Sequence, residues 1–268
     1  MSRISAVVPL FIWMGTAAPL AAQGADRLFD ALRLDEVIEV MREEGIVAGE
    51  ELEADLFAGR GGQLWDEAVL DIYDRDRLEQ VVRDRFDVPE EVVPPLVEFF
   101  ESEIGQRLVE YEIAARRAII DPDVEAAAME AADDASEGRR DLIDGFIAAN
   151  DLVEQNVSGA LNSNLAFYSG LLDGDAPIGA LSEDQVLSDV YASEPQVRAD
   201  TEAWLGAYLT LAYAPVEDDA LTQYLELSDS EAGQDLNSAI FRAFDGLYDT
   251  ISYELGLAAA GFMQGQDL

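Results

Sequence analysis

An ungapped internal match constrains this chain more than any other feature. Residues 88–115 align on residues 216–243 at a spacing of 128, and eight of the 28 pairs are identical, where chance gives about two. The match centres on Ser102-Glu103-Ile104-Gly105-Gln106-Arg107-Leu108 and Ser230-Glu231-Ala232-Gly233-Gln234-Asp235-Leu236. The remaining identities are Val88/Val216, Glu98/Glu226 and Ala115/Ala243. The expectation is two copies of one helical unit.

Each copy reads as an acidic helix start, an apolar helix, a break and a second amphipathic helix. Ser102 and Ser230 stand where an N-cap hydroxyl accepts from a free amide of the first turn. Glu103 and Glu231 then take the first helical position, where negative charge suits the macrodipole. Gly105 and Gly233 fall inside that turn, at up to about 1 kcal/mol against alanine, so the same cost in both copies predicts close approach of another backbone. After the caps, Leu236, Ile240, Phe244, Leu247, Ile251 and Leu255 recur at helical steps, as do Ile104, Leu108, Tyr111, Ala115 and Ala118. Two such helix starts could converge on a polar ligand. The Glu already supplies the negative charge a site of that kind would attract, so Ser102, Glu103, Gly105, Gln106, Leu108, Ser230, Glu231, Gly233, Gln234 and Leu236 are read as structural corners.

At these residues the chain resembles the bacterial family catalogued as domain of unknown function 2059. The family pattern is an apolar-aromatic pair, Ser-Pro or a variant, then Gly, a basic or polar residue, and Leu. Phe99-Phe100-x-Ser102-x-x-Gly105-Gln106-x-Leu108 fits it closely, and Leu227-Ser228-x-Ser230-x-x-Gly233-Gln234-x-Leu236 less closely. Glu103 and Glu231 replace the common proline. The resemblance covers about 30 residues in each half. It implies an exported all-helical protein and brings no catalytic residues.

Residues 1–23 read as an export signal: Arg3, an apolar run over 6–14, and the small-residue zone Ala17-Ala18-Pro19-Leu20-Ala21-Ala22. The run is shorter than the roughly 20 residues a spanning helix needs. A periplasmic protein without stable membrane insertion is expected, with an uncleaved N-terminal anchor as the alternative. Residues 24–135 and 136–268 form the two helical units, packed together as one domain.

The chain has 16 basic residues, all arginine, against 56 acids, for a net charge of −40. Residues 1–140 hold 14 of the arginines and 33 of the acids, so the acid is spread through both halves. Nucleic acid and anionic membranes are therefore poor partners. With no histidine, cysteine or lysine, triads, thiol nucleophiles, imidazole bases, Schiff bases and transition-metal sites lack their parts. No cofactor is implied.

Strand alternation is almost absent, and the class is all-α. Further expectations are a helix over 26–58 broken around Gly45–Gly49, a shortened or bent helix at Pro94-Pro95, and a linking helix over 123–134 capped by Asp121. Three readings of function stay open. The first is a non-catalytic interaction or helper protein of the bacterial envelope, with an unknown protein or ligand as partner. The second is a hydrolase of wall polysaccharide using a pair among Glu98, Glu103, Glu226 and Glu231. The third binds calcium, at Asp173-Gly174-Asp175 or 71–76, or a small ligand. Phe99, Phe100, Tyr111, Trp204, Tyr208, Tyr224, Phe241, Phe244 and Tyr248 read as core, with an apolar groove as the other possibility.

Overall fold

The computed structural model describes residues 18–57, 60–177, 179 and 182–265, with side chains from residue 24. Most of the export-signal reading therefore lies outside the described residues. Among them the chain is all-α, a bundle of thirteen helices with no strand. The first half holds α1 (Ala18–Ala31), α2 (Leu34–Phe57), α3 (Gly62–Ile72), α4 (Arg75–Arg85), α5 (Val93–Phe100) and α6 (Glu103–Ala118). After α7 (Pro122–Asp134) come α8 (Glu137–Ala149), α9 (Leu152–Asp173), α10 (Glu183–Ala192), α11 (Glu194–Tyr213), α12 (Asp218–Ser228) and α13 (Glu231–Met263).

Local chemistry sets the boundaries. Asp74, Ser102, Asp121, Ser136, Ser182 and Ser230 each accept a backbone amide of the following turn, which satisfies a donor that the helix cannot. Pro94 and Pro95 sit in the first turn of α5, where a missing N–H is harmless, and that helix has 8 residues against 11 in α12.

The expected break near Gly45 and Gly49 does not occur, and α2 runs unbroken through both. These glycines are notches for neighbours. A Cβ on Gly45 would lie 2.1 Å from the Tyr73 ring, and one on Gly49 would lie 2.8 Å from Val69. The Gly49 carbonyl also accepts from buried Trp65 Nε1 at 2.8 Å. Burying Tyr73 and Trp65 against the backbone outweighs the propensity loss, which is about 1 kcal/mol per glycine.

The two halves pack in parallel ways. α1 lies on α5 and α8 on α12, while the last helix of each half packs on the second. Arg33 and Asp151, each directly before the second helix, both take left-handed φ, 51° and 50°. The halves also interlock. Leu236, Ala243, Leu247 and Ile251 of α13 join the core built by α1–α5, while Leu108 and Ala115 of α6 join that of α8, α11 and α12. Where α9 crosses α13 the backbones touch: a Cβ on Gly170 would lie 2.1 Å from the Tyr253 carbonyl oxygen, and one on Gly256 2.0 Å from that of Phe167.

The scarce arginines tie helices together. Arg77 on α4 meets Glu254 on α13, Arg116 and Arg117 on α6 meet Glu44 and Glu43 on α2, and Arg198 on α11 meets Glu154 on α9. No helix among the described residues is long and apolar enough to cross a membrane.

Candidate functional site

At each matched corner the serine hydroxyl does two jobs. Ser102 Oγ donates to the Phe99 carbonyl at 2.6 Å and accepts from the Gly105 amide at 3.0 Å. Ser230 Oγ does the same with Leu227 and Gly233 at 2.6 and 3.1 Å. A Cβ on Gly105 would lie 2.2 Å from the Phe99 carbonyl oxygen, and one on Gly233 2.1 Å from that of Leu227. The backbone met is thus that of the preceding helix end. Glu103 and Glu231 point to solvent, and Leu108 and Leu236 are buried. These amides are occupied within the corner, so the ten motif residues hold the chain's bends.

A cavity of about 550 Å³ lies between the halves, within the range of small-molecule sites. Its walls come from the α1–α2 turn, α2, α5–α6, α8–α9 and α11–α13. Of the aromatics read from the sequence, Phe100, Trp204, Tyr208, Tyr224, Phe241, Phe244 and Tyr248 line it. Phe99 stacks on Tyr224 with ring centres 5.7 Å apart, and Tyr111 packs in the neighbouring core. A second hollow, of about 510 Å³ under α7, meets the first at Asn156, Ala160 and Trp204.

One wall is polar. Glu112 and Arg116 stand one turn apart on α6, and both face the cavity. Buried Tyr213 donates to Glu112 Oε1 at 2.7 Å, and Tyr224 hydrogen-bonds to the same carboxyl. Tyr208 donates to the Glu112 backbone carbonyl at 3.2 Å. Burial pushes the Glu112 carboxyl up to about 7, against the two tyrosine hydrogen bonds that favour its ionised form. Burial and then Glu112 raise all three tyrosines above the ordinary phenol value.

Arg116 forms two parallel 2.9 Å bonds to Glu44 and a third, at 3.0 Å, to the Tyr248 hydroxyl oxygen. Burial works against its charge, yet Tyr248 and Glu44 outweigh it and hold the guanidinium more firmly protonated than usual. Asp245, also on the lining, is raised by burial and then by Asp249.

The four carboxylates weighed for hydrolysis, Glu98, Glu103, Glu226 and Glu231, are all exposed and outside the cavity lining. Asp173 accepts from the Tyr253 hydroxyl at 2.9 Å and Asp74 caps α4. Among the described residues no cluster of three or more acids is placed to hold a metal.

Glu112 and Arg116 went unread in the sequence, although a signal was there. At the spacing of 128 they stand opposite Ile240 and Phe244, which also line the cavity. A charge in one half where the other carries an apolar core residue marks a position with something polar to do.

Comparison with protein-family models, curated proteins and solved structures finds no match to this chain.

Proposed function

We propose that this is a non-catalytic binding protein of the bacterial envelope that holds a small amphipathic molecule between two duplicated helical halves. The carrying observation is the cavity of about 550 Å³, apolar on most sides, with Glu112, Arg116 and their tyrosines on one wall. An apolar pocket with few convergent polar groups orients a ligand by its polar end and holds it by burial of the rest. Duplication is supported by the matched corners, the left-handed residues before α2 and α9, and equivalent positions of α6 and α13 facing one space. Export is supported by the sequence of residues 1–23. Kinship with the family of unknown function 2059 is supported by the corner residues.

Neutral N-phenyl-1-naphthylamine, titrated into the full chain, tests this. One saturable site is expected, weakened at least about tenfold when Ala160→Phe or Ile240→Trp fills the space. Unsaturable binding, or affinity indifferent to both substitutions, would reject a cavity site.

A further inference from the structure

The polar wall has a surplus of donors. Arg116 spends Nε and Nη2 on Glu44 and Tyr248, and Nη1 has no acceptor among the described residues. The Tyr248 oxygen accepts from Arg116, and no described residue accepts its proton. Glu112 already takes hydrogen bonds from Tyr213 and Tyr224, and the Tyr208 proton is used on a carbonyl. Two neighbouring donors, one cationic, are left facing the cavity. Both side chains are half-buried, so the wall presents donors that an occupant bringing an acceptor can meet.

We propose that the occupant is a long-chain monocarboxylic acid, its carboxylate on Arg116 Nη1 and the Tyr248 hydroxyl, its chain along Phe100, Leu209, Phe241 and Phe244. This rests on the cavity being a ligand site. A guanidinium presents its donors as a planar fork, so a second carboxylate can take the edge that Glu44 leaves open. The head carries a single charge, because Arg116 is the sole basic residue on the described lining and already pairs with Glu44, while Glu112 and Asp245 also line the cavity. A phosphate's second charge would find no cation, and a quaternary ammonium would face the guanidinium.

Calorimetric titration of the full chain at pH 6 with dodecanoate, dodecanol and dodecyltrimethylammonium separates the cases. Dodecanoate is expected to bind at one site about tenfold or more tighter than dodecanol, the worth of a charge-assisted hydrogen bond. Tyr248→Phe should cut that preference several-fold, because the charged head loses more than the alcohol does. Arg116→Gln should abolish it; should that chain fail to fold, Tyr248→Phe decides. Equal affinities, or a preference for the alcohol or ammonium, overturn the carboxylate assignment and leave the cavity reading intact. If none of the three binds and the neutral naphthylamine does not either, both fall.

Discussion

Gln106 and Gln234 carry out the same task in the two halves. Gln106 Nε2 donates to the Phe100 carbonyl at 2.6 Å and to that of Ala31, the last residue of α1, at 2.7 Å. Gln234 Nε2 donates to the Ser228 carbonyl at 2.8 Å and to that of Ala149, the last residue of α8, at 2.5 Å. Each amide thus satisfies two helix-end carbonyls that have no partner within their own helices, and ties its corner to the first helix of its half. Gln106→Ala and Gln234→Ala should each lower stability by roughly 1–2 kcal/mol in urea unfolding. Gln106→Ala should cost more, since both its bonds are part-buried whereas the Ala149 bond is exposed. Equal stability to wild type for both would show the clamp to be idle.

The corner glycines answer to sterics rather than propensity. Gly105→Ala and Gly233→Ala would each place a Cβ about 2 Å from a backbone carbonyl oxygen, and backbone has little room to yield. A loss of about 3 kcal/mol is expected for each. Gly206→Ala is the control, for Gly206 lies inside α11 with nothing within 4 Å of its added Cβ. That change should stabilise by up to about 1 kcal/mol. The three melting temperatures decide it: a corner substitution that behaves like Gly206→Ala removes the close-approach explanation.

These two cases mark how far sequence reaches. The caps, the acidic first turns and the proline at the start of α7 are local, so Ser102, Ser230 and Asp121 were legible as helix starts. What Gly45 and Gly49 do depends on Tyr73, Val69 and Trp65 arriving from α3 and its C-terminal end, which no window around a glycine records. The left-handed residues before α2 and α9 are not glycines but Arg33 and Asp151. They lie 118 residues apart, not 128, because the second half is longer between its second and last helices. A single fixed spacing therefore misses them. Glu112 escaped notice for a different reason. Among 56 acids, one that faces the interior is distinguished only by what the other helices bring to it, here Tyr208 and Tyr213 from α11 and Tyr224 from α12.

The crossing of α9 and α13 should tolerate no side chain. Gly170→Ala or Gly256→Ala sets a Cβ about 2 Å from a carbonyl oxygen of the facing helix, so the two backbones must separate. Since α9 and α13 also wall the cavity, each change is expected to weaken naphthylamine binding as well as lower stability by about 2–3 kcal/mol. Gly159 lies on the same helix, where an added Cβ would meet only the Asp245 carboxyl at 3.0 Å. Gly159→Ala should be much milder. Thermal unfolding and probe titration of the three variants give the ranking, and a reversed order would place the tight crossing elsewhere.

Glu112 predicts how stability depends on pH. Its folded pKa of about 7 lies above the ordinary 4.5, so between those values the folded chain holds a proton that the unfolded chain has released. Stability is then greatest below pH 4.5 as far as this group is concerned, and falls as pH rises through 7. Above that, a charge must be kept where burial disfavours it, beside Tyr213 and Tyr224. The shift corresponds to on the order of 3 kcal/mol. Asp245, raised by burial and Asp249, and self-repulsion of a chain carrying a net charge of −40 slope the same way. Only the difference between wild type and Glu112→Gln isolates the carboxyl. The amide keeps an acceptor for Tyr213 and never ionises. The variant should therefore match wild type near pH 4.5 and exceed it by up to that amount at pH 8 in urea unfolding. Curves that stay parallel across the range would mean that Glu112 reaches bulk water and carries no buried charge.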